Sequence, residues 1–335
     1  MPFPQLPKHA AYIRLDNPRT RNSLSLPVLQ GLKNSLVDSL TSPSSGKLRI
    51  LPPFRQEILA DLEHAAERKN KGDKIWEKYG WLVDANEWRR ERAGLPDILV
   101  LRSEGPVFSS GHDLKEINKM KPEDVKRLFA LCAEVMTLIR RSPAPVVCPI
   151  QGLATAAGFQ LAMTTDYPIS LSTTGFRLPG SRIGLPCTSP STAVSRRLPP
   201  GQAYRMLLTA EPVTAADIPG AVEVVQAPEE ATELENQLAF EKRVASVIEG
   251  LTTMAAQPQA MSKWAYWTQL GIRGSVTEDG TLPAEIDGDG YEAAASWAGK
   301  AMALHAKSLD AREGIDAFIS KRDPTWPQHR TPRLR

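Results

Sequence analysis

Two short stretches of small and polar residues follow apolar, strand-like segments and lead into helix-like segments. One covers residues 108–113, Phe-Ser-Ser-Gly-His-Asp, and the other covers residues 154–158, Ala-Thr-Ala-Ala-Gly. The first N–H groups of a helix lack intrahelical acceptors and carry partial positive charge, and small side chains let a ligand approach them closely. Two such turns facing each other would direct N–H donors at one oxygen atom, as in an oxyanion hole. Small residues at these junctions also simply permit close packing, which is the alternative interpretation.

Other catalytic patterns are missing from the sequence. It contains no Cys-x-x-Cys, His-Glu-x-x-His, Gly-x-Ser-x-Gly or Gly-x-x-x-x-Gly-Lys motif. The histidines, at 9, 64, 112, 305 and 329, are scattered, and the three cysteines, at 132, 148 and 187, have no metal-ligand spacing. We therefore expect no metal site and no serine triad. The cysteines are expected to be free thiols, as in a reducing compartment.

Composition places the chain among ordinary globular proteins. Its 335 residues suffice for one large domain or two smaller ones, with 41% hydrophobic residues and a net charge of +3. This balance favours neither nucleic acid nor a membrane as a partner, and no apolar run reaches the roughly 18 residues of a membrane span. The chain begins without a secretory signal pattern and does not end in Ser-Lys-Leu. We expect an intracellular protein, with the mitochondrion, the peroxisome and the cytoplasm all left open.

The spacing of apolar residues on either side of these two loops predicts an α/β fold. Strands are predicted at 11–16, 97–103, 146–150 and 167–172, and helices at 26–40, at 125–139 and from 157. Asp113 is expected to cap a helix, with Glu116 completing a capping box. The strand–helix–strand order indicates a right-handed βαβ unit. Beyond residue 190 the chain is predicted to be mainly helical, with helices at 235–248, 261–270, 291–307 and 310–321 and an acidic loop at 275–290.

Residues 41–96 differ in character from their surroundings. They begin rich in proline and serine, then become highly charged and include Trp76, Trp81 and Trp88. We interpret them as an insertion whose second half is helical, serving as surface decoration or as an oligomer contact. A structural partner protein built around this segment is a further hypothesis, and a basic-aromatic nucleic-acid patch has no support elsewhere in the chain.

Several segments, in order along the chain, resemble the crotonase superfamily, also called the enoyl-CoA hydratase/isomerase family. They are residues 17–32, 99–117, 143–170, 176–185 and 313–326. The sequences Ser-Ser-Gly-His-Asp-Leu and Ala-Thr-Ala-Ala-Gly-x-Gln-Leu are similar to those of the enoyl-CoA hydratase domain-containing branch. The resemblance implies a spiral of ββα turns over 1–250, with the insertion at 41–96, and a C-terminal helical region over 251–335. It also implies a homotrimer or hexamer that binds acyl-CoA, with coenzyme A as part of the substrate and no tightly bound cofactor.

The resemblance assigns roles to residues of the two loops and their neighbours. The oxyanion donors would be the backbone N–H groups of His112 and Ala157, within loops that also contain Gly111 and Gly158. The other implied contacts to coenzyme A are Arg21, Ser23 and Leu24 at the pantetheine, Ser109, Ser110 and Asp113 near the adenine, Lys321 and Arg322 at the phosphates, from the same or a neighbouring subunit, and also Gly111, Gly158 and Pro179.

Two departures from the family pattern bear on the reaction. Hydratases of the family have glutamates where this chain has Gln160 and Gly180. Hydration requires a general base and a general acid. Glutamine can hold a water or a substrate carboxylate but cannot accept a proton, and Gly180 is expected to offer only space. We therefore predict that the ordinary hydratase mechanism does not operate.

His112 and Cys187 are the remaining candidates for chemistry in this pocket. The imidazole of His112 would either act as an acid or base near neutral pH or merely pack, and Cys187 would either face the pocket or fill a buried space. Some malonyl-type CoA decarboxylases of the superfamily carry a similar Gly-His-Asp pattern. We therefore expect enolate chemistry of the isomerase or decarboxylase type in fatty acid metabolism. The alternative is a catalytically inactive, CoA-binding or regulatory homologue.

Overall fold

A computed structural model describes residues 3–55, 57–226, 230–271, 303 and 309–324. The predicted loop at 275–290 and, apart from residue 303, the predicted helix at 291–307 lie outside this part of the chain. Within it, no helix combines the length and the apolar character needed to cross a bilayer.

Five parallel strands form the central sheet, in the order β1-β2-β3-β5-β8. A second sheet, β4-β6-β7, lies beside it, with one parallel and one antiparallel pairing. The strands are β1 Ala10–Leu15, β2 Ile98–Ser103, β3 Val146–Ile150, β4 Leu153–Thr155, β5 Tyr167–Leu171, β6 Gly175–Arg177, β7 Val213–Thr214 and β8 Glu223–Val225. Parallel neighbours require crossover connections, which the helices supply. The α/β prediction is confirmed, and the predicted strands agree with β1, β2, β3 and β5 to within a residue at each end.

Most helices of the described chain follow the predicted periodicities. They are α1 Leu26–Leu40, α2 Ile58–Ala66, α3 Lys74–Val83, α4 Ala85–Arg92, α5 Leu114–Lys119, α6 Pro122–Arg140, α7 Ala157–Thr164, α8 Thr188–Val194, α9 Pro200–Thr209, α10 Glu233–Thr252, α11 Ala256–Gly271 and α12 Leu309–Ile319. The main core lies where α1 and α6 pack together on the central sheet, and one buried cluster contains Leu29 and Leu36 of α1 and Phe129 of α6. Burial of these apolar faces fixes the positions of the helices.

Asp113 caps the N-terminus of α5 as predicted, but Glu116 does not complete the predicted capping box. The Oδ1 atom of Asp113 accepts hydrogen bonds from the N–H groups of Lys115 and Glu116, at 2.9 and 3.1 Å. The Glu116 carboxylate, instead of closing a capping box, accepts from the N–H of Leu26 at 3.2 Å. This contact joins α5 to the start of α1, so it helps to position the loop that precedes α5.

The tryptophan-rich insertion packs inward. Trp81 stacks on Trp88 with ring centroids 5.7 Å apart, and both side chains are buried. The same apolar cluster contains Trp264 and Trp267 of α11, and the indole N–H of Trp264 donates to the carbonyl of Pro53 at 3.1 Å. The interpretation as surface decoration is therefore wrong for these side chains, because the insertion and α11 share one core.

Trp264→Phe tests this shared core. The substitution removes part of a side chain that is 4% exposed and leaves the Pro53 carbonyl without its donor. We expect the free energy of unfolding to fall by about 1–3 kcal/mol. Urea denaturation measures the change, with Tyr204→Phe as a control because Tyr204 is 62% exposed. Equal stability of the two variants would contradict the inward packing of α11.

Candidate active site

The two small-residue loops lie in direct contact. The N–H of Thr155 donates to the carbonyl of Ser109 at 3.0 Å, and residues 109 and 154 form a parallel bridge. A Cβ atom built on Gly158 would lie 2.5 Å from the Ser109 carbonyl oxygen, and one built on Gly111 would lie 3.3 Å from the Ala157 nitrogen. The glycines are thus required by close backbone approach, and the predicted pairing of the two loops is present.

Both proposed N–H donors are available for a ligand. Among the described residues, no backbone carbonyl accepts from the N–H of His112 or from that of Ala157. Ala157 is the first residue of α7, where N–H groups have no intrahelical acceptor. Ala156, which precedes it, has φ 50°, an unfavourable value for alanine, and its N–H is held by the Arg177 carbonyl at 3.0 Å. Such strain is a feature of ligand-binding turns, so it supports a functional role for this loop.

A third segment, residues 21–24, braces the first loop. The N–H of Leu24 donates to the Gly111 carbonyl at 2.8 Å, and that of Ser110 donates to the Arg21 carbonyl at 3.0 Å. The Ser109 hydroxyl donates to the carbonyl of Asn22 at 2.8 Å. The structure therefore brings this predicted segment, to which Ser23 also belongs, against the loop that ends at His112.

Asn22 is a positioning residue that is not among the predicted site residues. Its side chain is fully buried, donates to the carbonyls of Glu104 and Val107 at 2.7 and 2.8 Å, and accepts from the N–H of Asn17 at 2.9 Å. Its own φ is 52°, a region that asparagine tolerates better than most residues. The sequence signal for this role is weak: Asn22 follows the Asn17-Pro18 turn, and asparagine is common in tight turns.

The predicted phosphate contacts, Lys321 and Arg322, follow the end of α12 and are not joined to this cluster. Arg322 pairs with Glu313 at 2.7 Å, and Lys321 is exposed. The helix itself lies against α5, where the Asn118 side chain donates to Asp316 at 3.1 Å. Within the described residues, no hydrogen bond or ion pair joins Lys321 or Arg322 to the two loops.

Gln160 is buried and hydrogen-bonded to α8. The Ser189 hydroxyl donates to its Oε1 atom at 3.2 Å, and its Nε2 atom donates to Thr192 Oγ1 at 3.4 Å. Both ends of the amide therefore have partners within the protein. A substrate or water could bind the amide of Gln160 only by displacing or sharing these hydroxyl groups.

Gly180 does not offer space, so that expectation is wrong. A Cβ atom built on Gly180 would lie 2.0 Å from the Leu185 carbonyl oxygen and 2.7 Å from Cys187 Sγ. Gly180 follows Pro179 and begins a short 3₁₀ turn, and its N–H donates to Cys187 Sγ at 3.2 Å. Burial raises the pKa of the Cys187 thiol to about 11, so this cysteine is a protonated buried filler at neutral pH.

His112 is a buried, neutral imidazole. Its Nδ1 atom lies 3.1 Å from the Leu24 carbonyl oxygen and therefore carries the proton, and its ring meets Phe129 edge to face at 4.9 Å. Nε2 is buried without a hydrogen-bond partner among the described residues. Burial lowers the pKa of His112 to about 4. Such a group has no proton to donate near neutral pH beyond the one at Nδ1, so the general-acid interpretation is not supported.

The buried imidazole predicts a pH-dependent stability. Because the folded pKa of His112 is about 4 and the unfolded one about 6.5, the unfolded chain takes up this proton first as the pH falls. Stability is therefore lost from about pH 6.5 down to about pH 4. Between pH 7 and pH 4, we expect the free energy of unfolding to fall by about 3 kcal/mol more in the wild type than in His112→Gln. Denaturant titrations at several pH values measure this difference, and an equal pH dependence in the two proteins would contradict a buried neutral imidazole at this position.

Comparison with known protein families and sequences identifies relatives of this chain. Residues 96–263 match the model of a family described as enoyl-CoA hydratase/isomerase. The enoyl-CoA hydratase domain-containing protein 3, mitochondrial, of Mus musculus is 31% identical over 94% of this chain and 80% of its own length. Its Homo sapiens counterpart is 31% identical over 89% of this chain and 81% of its own length.

Solved structures show the same fold. The crystal structure of human enoyl-CoA hydratase domain-containing protein 3 superposes with a TM-score of 0.56 at 27% identity, covering 96% of this chain and 98% of that one. An enoyl-CoA hydratase from Mycobacterium avium subsp. paratuberculosis gives a TM-score of 0.64 at 19% identity, covering 97% and 99%. At that identity the second likeness concerns the fold alone, which is the predicted crotonase type.

Proposed function

Since the chain belongs to the enoyl-CoA hydratase/isomerase family, we propose that it binds acyl-CoA thioesters and stabilises a thioester enolate between the N–H groups of His112 and Ala157. The observation that carries the proposal is the contact of the two loops. Neither N–H group donates a hydrogen bond to a backbone carbonyl of the described residues. Negative charge develops on the thioester oxygen when an enolate forms, and preorganised N–H donors stabilise it without reorganisation.

Hydration is not the reaction that these residues favour. Gln160 cannot act as a base, and its amide is already bonded to Ser189 and Thr192. Gly180 has no side chain and no room for one. The His112 imidazole is neutral, so the acid and base pair that water addition requires is not supplied by Gln160, Gly180 and His112.

We propose isomerase-like or decarboxylase-like chemistry in fatty acid metabolism instead. In the decarboxylase case, a malonyl-type thioester loses CO₂, and the electrons of the broken C–C bond pass to the thioester carbonyl to form the enolate. No base is needed, because carbon dioxide rather than a proton departs. A proton then returns to Cα from solvent or from a group on the substrate. The two N–H donors supply the stabilisation that such a step depends on.

The proposal also covers the contacts to coenzyme A, the oligomeric state and the cellular compartment. Segment 21–24 would border the pantetheine, loop residues 109, 110 and 113 would lie near the adenine, and Lys321 and Arg322 would meet the phosphates. Coenzyme A enters as part of the substrate, with no other cofactor. We propose an intracellular homotrimer or hexamer, and the mitochondrial designation of the mouse and human relatives favours that compartment.

A second candidate function is an inactive CoA-binding or regulatory protein. The observation that favours it is the internal bonding of Gln160 together with the blocked position at Gly180. Such a protein would keep the oxyanion donors for binding and lack groups for proton transfer.

One experiment separates the two functions. The purified protein is incubated in D₂O with enoyl-, dienoyl- and malonyl-type CoA thioesters, and product mass and deuterium at Cα are followed by mass spectrometry. Turnover or exchange with any thioester supports the enolate proposal, whereas binding without either supports the inactive homologue. Absence of acyl-CoA binding, measured by calorimetry, would refute both, and fast hydration of crotonyl-CoA would refute the interpretation of Gln160 and Gly180.

A further inference from the structure

A cavity of about 430 Å³ lies at the insertion. The proposed function does not use it. It lies between residues 47–53, helix α3 and the residue that follows α6. Five of its lining side chains are cationic and one, Glu77, is acidic. The cationic residues are Lys47, Arg49, Lys74, Lys78 and Arg141. Concentration of one sign of charge around a concave surface raises the local concentration of anions.

One of these cations is built into the protein interior. Arg49 is buried, and its Nε and Nη2 atoms both bond to Glu91 Oε2, at 2.8 and 2.7 Å. The guanidinium of Arg49 also lies over the Trp81 ring, 5.7 Å from its centroid. Burial opposes ionisation of Glu91, but hydrogen bonds from Ser45 and Arg49 outweigh it and lower the pKa of Glu91 to about 2. The Glu91 carboxylate is therefore charged and holds the guanidinium of Arg49, which lines the cavity.

The three lysines supply charge that the described protein does not neutralise. Lys47, Lys74 and Lys78 are exposed, and none forms an ion pair with a described residue. Lys78 Nζ lies over the ring of Tyr79, 4.8 Å from its centroid, which holds the ammonium at the cavity wall. Against these lysines, Glu77 is the one acidic side chain among the lining residues.

The cavity is separate from the two active-site loops. Phe129, which contacts His112, and Arg141 are 12 residues apart along α6 and its cap, or about 18 Å at 1.5 Å per residue. The residues that match the family begin at 96, after the insertion.

We propose that this cavity binds the phosphate groups of a small diphosphate-bearing anion. Its volume lies within the range of small-molecule sites, about 300–1,000 Å³. Phosphate oxygens accept charge-assisted bonds from several donors at once, which suits a guanidinium held by Glu91 beside three lysine ammonium groups. A single carboxylate could pair with only one of the three lysines, so a multiply charged phosphate group satisfies the site better.

Calorimetric titration with inorganic pyrophosphate tests the proposal on the full chain. Lys74→Glu/Lys78→Glu is expected to weaken pyrophosphate binding at least tenfold, and 0.5 M salt should weaken binding to the wild type. The matched control is Lys8→Glu/Lys242→Glu, which makes the same charge change at exposed positions away from the cavity. Circular dichroism confirms that each variant folds. Equal weakening of pyrophosphate binding in both double variants would show that only net charge matters, which would overturn the proposal. Unchanged binding in Lys74→Glu/Lys78→Glu would also overturn it.

Further titrations identify the source of the diphosphate. Adenosine diphosphate in place of pyrophosphate distinguishes a nucleotide from the free anion, and binding of either supports the site. Acyl-CoA also carries a diphosphate, so its affinity is measured in the same variants. We expect the acyl-CoA dissociation constant to be unchanged in Lys74→Glu/Lys78→Glu, with no displacement of acyl-CoA by pyrophosphate. A parallel loss of acyl-CoA affinity would overturn the separate site and would leave the proposed acyl-CoA function intact.

Discussion

Gly158→Ala is expected to reduce turnover of a responsive thioester, or deuterium exchange at its Cα, by about 100-fold or more. The added Cβ would lie 2.5 Å from the Ser109 carbonyl oxygen and 2.7 Å from Ser109 Cβ, distances that real side chains do not tolerate. One loop must therefore move by about an ångström, which separates the N–H of His112 from that of Ala157. A displacement of this size in a catalytic constellation costs about two orders of magnitude in rate.

The control for this prediction is a glycine with free space. A Cβ built on Gly201, in the first turn of α9, meets nothing within 4 Å. Gly201→Ala should therefore retain wild-type exchange and gain up to about 1 kcal/mol of stability. Stopped assays by mass spectrometry measure both variants with the same thioester. Unimpaired exchange in Gly158→Ala would show that the two N–H groups do not act together.

Restoration of the two hydratase carboxylates is expected to fail for a structural reason. Gly180→Glu would place a Cβ 2.0 Å from the Leu185 carbonyl oxygen and add a charged side chain at a buried position. We expect the free energy of unfolding to fall by about 4 kcal/mol or more. The double variant Gln160→Glu/Gly180→Glu should consequently show no hydration of crotonyl-CoA.

Gln160→Glu alone separates the packing effect from the chemical one. The residue is fully buried between hydroxyl partners, so the glutamate can be accommodated in its protonated form, and we expect a loss of about 1–3 kcal/mol. Thermal denaturation and a crotonyl-CoA hydration assay, applied to both single variants and to the double variant, measure these effects. A stable Gly180→Glu protein with hydratase activity would contradict the described packing of residues 180–187.

The local parts of the fold could be predicted because their causes are local. Helix α1 begins and ends as its apolar spacing indicates, and its predicted range of 26–40 is confirmed. Asp113 caps α5 because a carboxylate at that position satisfies two nearby N–H groups. The close approach of loops 108–113 and 154–158 was implied by glycines and alanines at strand–helix junctions together with the family resemblance.

The sequence patterns did not predict features that depend on how particular backbone segments and side chains pack together. A missing side chain at Gly180 is visible in the sequence, whereas the Leu185 carbonyl and the Cys187 sulfur that fill its place are not. The lowered pKa of His112 depends on burial of its ring against Phe129, which periodicity does not specify. Asn22 acts through two carbonyl groups more than 80 positions later, so its bracing role has no short-range signature.

The core shared by the insertion and α11 has a consequence for synthesis of the protein. The bond from Trp264 to Pro53 spans 211 positions, so the two halves of this core leave the ribosome at very different times. At about 5–20 residues per second, the insertion waits about 10–40 s for its partner helix. Its indole rings are exposed during that interval, when chaperone capture or association between nascent chains competes with folding. Slow codons between these segments would lengthen the wait and lower the yield of folded protein.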